Sequence, residues 1–588
     1  MFDPLPKTKT LNEFLRKRVE LSGGSTWLTL YSKDKIACKL TYAELLEGAI
    51  CWSAELLKTG VRPGDRILLI LPTEKAFYEA FWGILQAGAI PVPLYPPMRL
   101  ARIEEYLKSL GNIIHNCGAS VLVTNGLIRP LIRPVERING HRISFLISRN
   151  NYSKPVKPDR SARPDDMGLL QYTSGSTGSQ KGVMLTHANL LANLRAIGRM
   201  LRPSSEDVAV SWLPLYHDMG LIGLMMGTLY WGIPLVAMSP IDFLRKPARW
   251  IRIMSNHHAT FTAGPNFAYN LTAHKIRDVD LEGVDLSNWR IALCGAEPIH
   301  ASTIENFSNR YEPMGFCPQA FLPAYGLAEN TLAVSFPDLE TPPTIENFDN
   351  RMLETEGKAV CTDSIEKGRK IVSMGCPLES VEVAIMGEKF VPLEEGGQGE
   401  IVIRGPSVMA GYFNNPVVTA NVFRDGWLCT GDMGFMRGGQ LYISGRKKDM
   451  VIKAGRNYFA EELEAAAYSV SGVRPGGVCV FSINDPERGT ECVILVAEII
   501  KGLSTKDLSN QLIKVVAKET NCKPNKVVLV PPRTLPKTSS GKIQRFQTRL
   551  WYLDGSIQSR GRERKIMNYW GYAKAFMRDR FSMNNEME

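Results

Sequence analysis

Short apolar runs alternate with helix-length amphipathic stretches through the first 300 residues. Positions 66–72, 121–124 and 144–147 each read as a buried strand. The rhythm continues at 208–213, 234–238, 259–262 and 290–294. Between these runs lie helical patterns with local stop and start signals. Thr41-Tyr-Ala-Glu44 is a capping box, in which the threonine and glutamate side chains satisfy the first free amides of a helix. That helix is predicted to end at Gly60. Apolar strands alternating with helices predict an α/β layered fold with a largely parallel sheet.

After Gly375 the texture changes. Positions 381–386, 399–404 and 440–444 read as β segments separated by glycine-rich turns, which predicts a β subdomain. Positions 444–450, Ser-Gly-Arg-Lys-Lys-Asp-Met, carry a glycine and a charge cluster with no apolar stripe, the pattern of a hinge. Residues 450–546 then read as a small α+β unit, followed by a charged tail. The predicted domains are therefore 1–448 and 449–588. Residues 337–370 break the rhythm: they are polar, rich in Pro, Glu, Asp and Thr, and predict an inserted surface segment.

One stretch could be mistaken for a membrane span. Residues 219–238 are twenty positions without a charge. They also hold four glycines and Pro234, and follow Tyr216-His217-Asp218 with no basic flank. A buried helix ending near Trp231 and a short strand at 234–238 are predicted instead, in a chain that does not span a membrane.

Composition narrows the picture. With 44% apolar and 22% charged residues the 588-residue chain reads as an ordinary globular protein with a full-sized core. Eleven scattered cysteines without a Cys-x-x-Cys predict a reduced, cytoplasmic chain. The first twenty residues are polar and charged, unlike a secretory signal. The net charge of +11 raises nucleic acid as a partner, but no zinc-finger spacing or long basic run supports it, and none is expected. The densest basic cluster is Arg560, Arg562, Arg564 and Lys565, readable as a solvated face or as a docking patch for an acidic partner.

The most informative stretch is 171–184, Gln-Tyr-Thr-Ser-Gly-Ser-Thr-Gly-Ser-Gln-Lys-Gly-Val-Met. Thr173, Ser174, Ser176 and Thr177 supply hydroxyls, Gly175 and Gly178 let the backbone approach a ligand, and Lys181 adds a cation. An apolar lead-in at 167–170 and a helix start at Thr186 predict a loop between a strand and a helix, where amides can converge on a polyphosphate. Lys181 is followed by glycine, so this is no Walker A loop.

The order Tyr-Thr-Ser-Gly-Ser-Thr-Gly-x-x-Lys-Gly resembles the phosphate loop of the adenylate-forming superfamily: acyl-CoA synthetases, peptide-synthetase adenylation domains, luciferases and fatty-acyl-AMP ligases. Gln180 stands where that family more often has proline. Further motifs similar to the superfamily's follow in its order. By this resemblance His217, in Trp212-Leu-Pro-Leu-Tyr-His-Asp-Met-Gly-Leu221, lies where the carboxylate substrate meets the nucleotide. Gly295, Ala296, Glu297 and Pro298 form the floor under adenine. Tyr325 offers a flat face to the base beside Gly326, and Glu329 offers oxygen to Mg²⁺. Asp432, in Thr430-Gly-Asp and expected in a turn between strands, takes the ribose hydroxyls. Arg446 contacts the nucleotide, and Asp449 falls at the family's hinge. Lys542, in Pro536-Lys-Thr-Ser-Ser-Gly-Lys-Ile-Gln-Arg545, reaches from a mobile small domain to bridge substrate carboxylate and α-phosphate. The implied cofactors are ATP and Mg²⁺, and the implied catalytic set is Lys542, Lys181, His217 and Glu329.

Within the superfamily, three features are similar to fatty-acyl-AMP ligases: His217-Asp-Met-Gly220, Ala263-Gly-Pro-Asn-Phe-Ala268 and the polar segment 337–370. The resemblance implies a fatty acid substrate and transfer to the phosphopantetheine thiol of a separate acyl carrier protein. An acyl-CoA synthetase is the alternative, and a non-catalytic adenylate-binding or scaffold protein is the reading from a different class.

Overall fold

The computed structural model describes residues 7–97, 103–138, 141–147, 162–173, 180–364, 368–453, 456–485, 490–500, 505–538 and 541–557. Their contacts divide them into two compact units, one up to Lys447 and one from Lys448 onward.

The larger unit is built on two parallel sheets. In the first the strand order is Phe321–Pro323, Ile291–Cys294, Phe261–Gly264, Ala209–Ser211, Leu235–Ala237 and Thr26–Ser32, with Lys35–Thr41 closing the edge. All neighbours pair parallel except the last, an antiparallel hairpin. The second sheet orders Ile90–Pro93, Arg66–Leu69, Val121–Thr124 and Ser144–Ile147, all parallel. Parallel strands need crossover connections and are covered on both faces, which is why they read as short continuous apolar runs. The helix Tyr42–Lys58 carries the predicted capping box: Thr41 Oγ1 accepts from the Glu44 amide and Glu44 from the Thr41 amide. Its burial stripe packs on the helix Lys75–Gln86, around Trp52, Trp82 and Phe81, all buried.

The uncharged run at 219–238 forms a π-helix Met219–Met226, a turn of α-helix Gly227–Trp231 and the strand Leu235–Ala237. Gly232, at φ +78°, ends the helical part. Buried Arg18 donates to the carbonyls of Leu229 and Tyr230, so a cation satisfies the last turn. Among the described residues no helix is long and apolar enough to cross a membrane. No disulfide joins any of the eleven cysteines among the described residues.

The β subdomain is antiparallel: Glu382–Met386, Gly399–Arg404, Trp427–Arg437 and Phe423–Arg424, with Gln440–Arg446 also on Trp427–Arg437. The polar segment packs on it. Ile345–Asp349 pairs antiparallel with Gly368–Val372, and a short π-helix spans Met352–Glu356. Four apolar residues suffice to anchor it: Phe348, Leu353, Ala359 and Ile371 form a small core with Phe435 and Tyr442. The Tyr442 hydroxyl donates to Glu346, and Arg369 donates to the Ser444 carbonyl at 3.3 Å.

The smaller unit holds a three-stranded sheet, Val473–Asp485, Thr490–Ile499 and Lys526–Val530, with helices Ala460–Tyr468, Thr505–Thr520 and Arg545–Leu553. Its core holds the fully buried Val478, Val480, Val493 and Leu495 in one cluster, and Phe481 and Trp551 in a second.

Candidate active site

The phosphate-loop residues Ser174, Gly175, Ser176, Thr177 and Gly178 lie outside the described residues, but both flanks are described. Met167–Thr173 pairs antiparallel with Lys181–Thr186, and Thr173 sits opposite Lys181 in register. The loop therefore joins two strands of a hairpin, and the expected strand-to-helix placement is corrected. The helix His187–Leu201 begins only after the second strand, with Thr186 and Asn189 forming its capping box. The reason is visible in Lys181-Gly-Val-Met-Leu-Thr186: Val183 and Leu185 alternate into the core, and partner strands lie on both sides. The helix N-terminus expected directly behind the loop is therefore one strand removed from it.

Lys181 lies in the strand itself. Its Nζ stands 4.8 Å from the centre of the Tyr412 ring. The Tyr412 hydroxyl donates to Glu329 Oε1 at 2.8 Å. Glu329 sits in a 3₁₀ turn, Ala328–Asn330, and its carbonyl accepts from the Met409 amide at 2.8 Å. No cluster of three or more His, Cys, Asp or Glu forms a metal cage among the described residues. A lone carboxylate fits Mg²⁺ that arrives with phosphates, since this ion commonly keeps one or two protein carboxylates and completes its shell with phosphate oxygens and water.

Two groups of bonded residues hold the positions expected beside the nucleotide. Gly295 follows the strand Ile291–Cys294, and an added Cβ there would meet the Ala324 carbonyl oxygen at 3.1 Å. Ala296 is held at φ +67°, an uncommon conformation for alanine. Glu297 accepts from the Phe267 amide at 2.6 Å, which ties the segment containing Pro298 to 263–268. Tyr325 is buried and donates to Asp432 Oδ2 at 2.7 Å; burial, then the Asp432 charge, pushes its phenol well up. A side chain at Gly326 would collide with the Leu332 carbonyl at 2.0 Å, so the chain turns here only with glycine.

Asp432 is not in a turn between strands, which corrects the sequence reading. It lies within the strand Trp427–Arg437, where Thr430, Gly431 and Asp432 face Ile401 alone in the partner strand. This bulge, with Gly431 at φ +73°, re-aims the carboxylate without ending the strand. Arg446 Nε reaches Asp432 Oδ1 at 3.0 Å; the arginine side chain is 49% exposed and the aspartate 10%. A ligand hydroxyl could thus exchange with an existing partner.

His217 Nδ1 stands 2.6 Å from Asp218 Oδ1, and the Met219 amide approaches both, at 3.4 Å from Nδ1 and 2.7 Å from Oδ1. Gln171 donates to the Tyr216 carbonyl at 2.7 Å, fixing this segment to the strand that leads into the phosphate loop.

Asp449 and Lys542 belong to the other unit. The 536–545 motif folds on itself there: the Thr538 amide donates to the Lys542 carbonyl at 2.7 Å, and Gly541 turns at φ +91°. Lys542 is exposed. Arg545 pairs with Asp449, with Glu461 and, at 2.9 Å, with Glu464. Sequence reading passed over this cluster, and over Tyr412, because neither has a local signature.

A family model described as "AMP-binding enzyme" matches residues 24–413. Among curated proteins, the chain is 34% identical over 543 residues to a Caulobacter vibrioides protein carrying an acyl-CoA synthetase name, covering 91% of this chain and 94% of that one. It is 34% identical over 577 residues to the medium-chain-fatty-acid–[acyl-carrier-protein] ligase JamA of Moorena producens, covering 94% and 96%. Among solved structures, a chain from a study of fatty acyl-adenylate ligases from E. coli and L. pneumophila superposes with a TM-score of 0.86 at 31% identity, covering 93% of this chain and 98% of that one. The site residues, the α/β architecture and these full-length likenesses agree that the chain belongs to the AMP-binding enzyme family.

Proposed function

We propose that the protein uses ATP to activate a fatty acid as its acyl-adenylate, and then passes the acyl group to the phosphopantetheine thiol of a separate acyl carrier protein. The observation that carries this reading is a pair of bonded groups in the larger unit. Tyr325, Asp432 and Arg446 suit a nucleoside, and Lys181 with Glu329, joined through Tyr412, suit its phosphates. The fatty acid and the carrier protein are taken from the likeness to the JamA ligase.

In the first half-reaction the fatty-acid carboxylate attacks the α-phosphorus in line and pyrophosphate leaves. Catalysis is then positioning plus charge stabilisation. Lys181 stabilises the phosphates, Mg²⁺ held through Glu329 would offset their remaining charge, and His217 stands, by the family resemblance, at the carboxylate end. Lys542 supplies a cation between carboxylate and α-phosphate once the smaller domain, moving about Asp449, presents it. In the second half-reaction the thiol attacks the acyl carbon and AMP leaves.

The carrier is favoured over coenzyme A because the polar insertion near 337–370 packs, through Glu346, Phe348 and Arg369, on the strand that ends at Arg446, directly before the expected hinge. A hinge so restrained yields only to a ligand with large differential affinity for the rotated state, which a protein-sized partner offers. The Caulobacter relative's name favours the second reading, an acyl-CoA synthetase. Incubation with ATP, Mg²⁺ and a panel of fatty acids, with CoA or a holo carrier protein added, decides. Acyl-AMP and pyrophosphate with acyl transfer to the carrier supports the proposal. Acyl-CoA formed as fast as acyl-AMP selects the synthetase, and no carboxylate-dependent pyrophosphate release refutes both.

A further inference from the structure

We propose that Tyr412 is a positioning residue for the adenylation site: its ring face holds the Lys181 ammonium while its hydroxyl holds the Glu329 carboxylate, setting the spacing between the phosphate cation and the metal-bearing oxygen. This rests on the reading of Lys181 and Glu329 given above. The segment 407–413 is built as a staple between the two elements. On one side Tyr412 pairs with Val183 and Gly411 with Met184, and the Phe413 amide donates to the Gly182 carbonyl at 2.8 Å. On the other side the Met409 amide bonds the Glu329 carbonyl, and the Ser407 carbonyl accepts from Thr331 Oγ1 at 2.7 Å.

The turn that is stapled is strained. Thr331, fully buried, sits at φ +67°, a region β-branched residues rarely enter, and such a conformation persists only where neighbours over-determine it. Tyr412 is itself pinned at its backbone, where its amide donates to Thr419 Oγ1 at 2.9 Å. It is 5% exposed, so its hydroxyl has left water and gains its compensation from Glu329. A cation over an aromatic face and a carboxylate on the same ring's hydroxyl are two different bonds, so they can be removed separately.

The test uses the full chain with a non-hydrolysable ATP analogue. Manganese binding is read by electron paramagnetic resonance, and metal-free nucleotide binding by calorimetry. Tyr412→Phe keeps the ring and removes the hydroxyl; it should weaken Mn²⁺ about tenfold and leave metal-free nucleotide affinity within about twofold. Tyr412→Leu should weaken metal-free nucleotide binding as well, by about threefold to tenfold. On a Glu329→Gln background, Tyr412→Phe should add no further loss of Mn²⁺, because the hydroxyl acts through that carboxylate. Unchanged Mn²⁺ affinity in Tyr412→Phe, or an equal loss in both backgrounds, overturns the Glu329 half. Leucine no worse than phenylalanine for metal-free nucleotide overturns the Lys181 half. A wild-type chain that binds Mn²⁺-nucleotide yet releases no pyrophosphate with any fatty acid refutes the proposed function while the tyrosine is still tested.

Discussion

The two units treat buried charge in opposite ways. In the larger one, Asp432 meets Arg446 and Tyr325 at the edge of a strand bulge, and half of the arginine side chain faces solvent. In the smaller one, Arg545 is enclosed by Asp449, Glu461 and Glu464, and Glu464 also accepts from the Val480 amide at 2.8 Å. The first arrangement can trade a partner for a ligand at modest cost. The second closes on its own side chains, with only Nε of the Arg545 guanidinium left without a hydrogen-bond partner among the described residues, so its work is structural: it binds Asp449 and the end of the 536–545 motif to one helix, Ala460–Tyr468. Three carboxylates on one guanidinium cannot all ionise cheaply, and burial, with Glu461 adding to it, pushes Glu464 up to about 7.

The hardest blow to that contrast is Arg545→Ala. It strands buried carboxylates and should cost about 3–5 kcal/mol, read as early unfolding of residues 456–557 in hydrogen exchange while the larger unit keeps its protection. An undisturbed smaller unit would show that the cluster is dispensable. Lys542→Ala, three residues earlier and exposed, should do the reverse. Pyrophosphate release should fall about 10²–10³-fold with unfolding unchanged. Near-normal release would remove Lys542 from the reaction. Asp432→Ala should raise the KM for ATP about tenfold while protection of the strand Trp427–Arg437 persists. An unaltered KM would mean that the bulge carboxylate serves its own backbone.

The smallest effect is a pH dependence of opposite sign in the two units. Glu464 has its folded value raised from 4.5 to about 7, so between these pH values the native state binds more protons than the unfolded. Its contribution is full below about 4.5 and is lost as pH rises through about 7. His187, in the larger unit, has its folded value lowered from 6.5 to about 4 by burial, while the Leu11 amide donates to its Nδ1 at 3.2 Å. There the unfolded state binds more protons, and the contribution is full above 6.5 and lost as pH falls through about 4. In a global melt the two slopes offset each other. Residue-resolved hydrogen exchange from pH 5 to 7 should show protection falling around Val480 and rising around Leu190, and Glu464→Gln should flatten the first slope alone. Parallel slopes in both units would overturn this account.

What the sequence determined by itself was whatever short-range pattern controls. Strands at 121–124 and 144–147, the Thr41 capping box and the break-up of the uncharged run 219–238 follow from apolar periodicity, side-chain caps and glycine, all acting within a few residues. The motif order carried the family, and the family match over residues 24–413 takes in the strings at 171–184, 212–221, 295–298 and 325–329. What only the tertiary structure decided were the partnerships across the chain. Tyr412 meets Glu329 from 83 positions away, Tyr325 meets Asp432 from 107, and Arg545 meets Glu464 from 81. The same holds where a strand needs a neighbour: 181–186 became a strand because 167–173 and 411–412 flank it, and Phe348, Leu353, Ala359 and Ile371 found a core because Phe435 and Tyr442 offered an apolar floor. Periodicity tells a residue which face it turns inward, but which residue waits there is settled only when sheets pack, since burial and hydrogen bonding are properties of the folded neighbourhood rather than of the string.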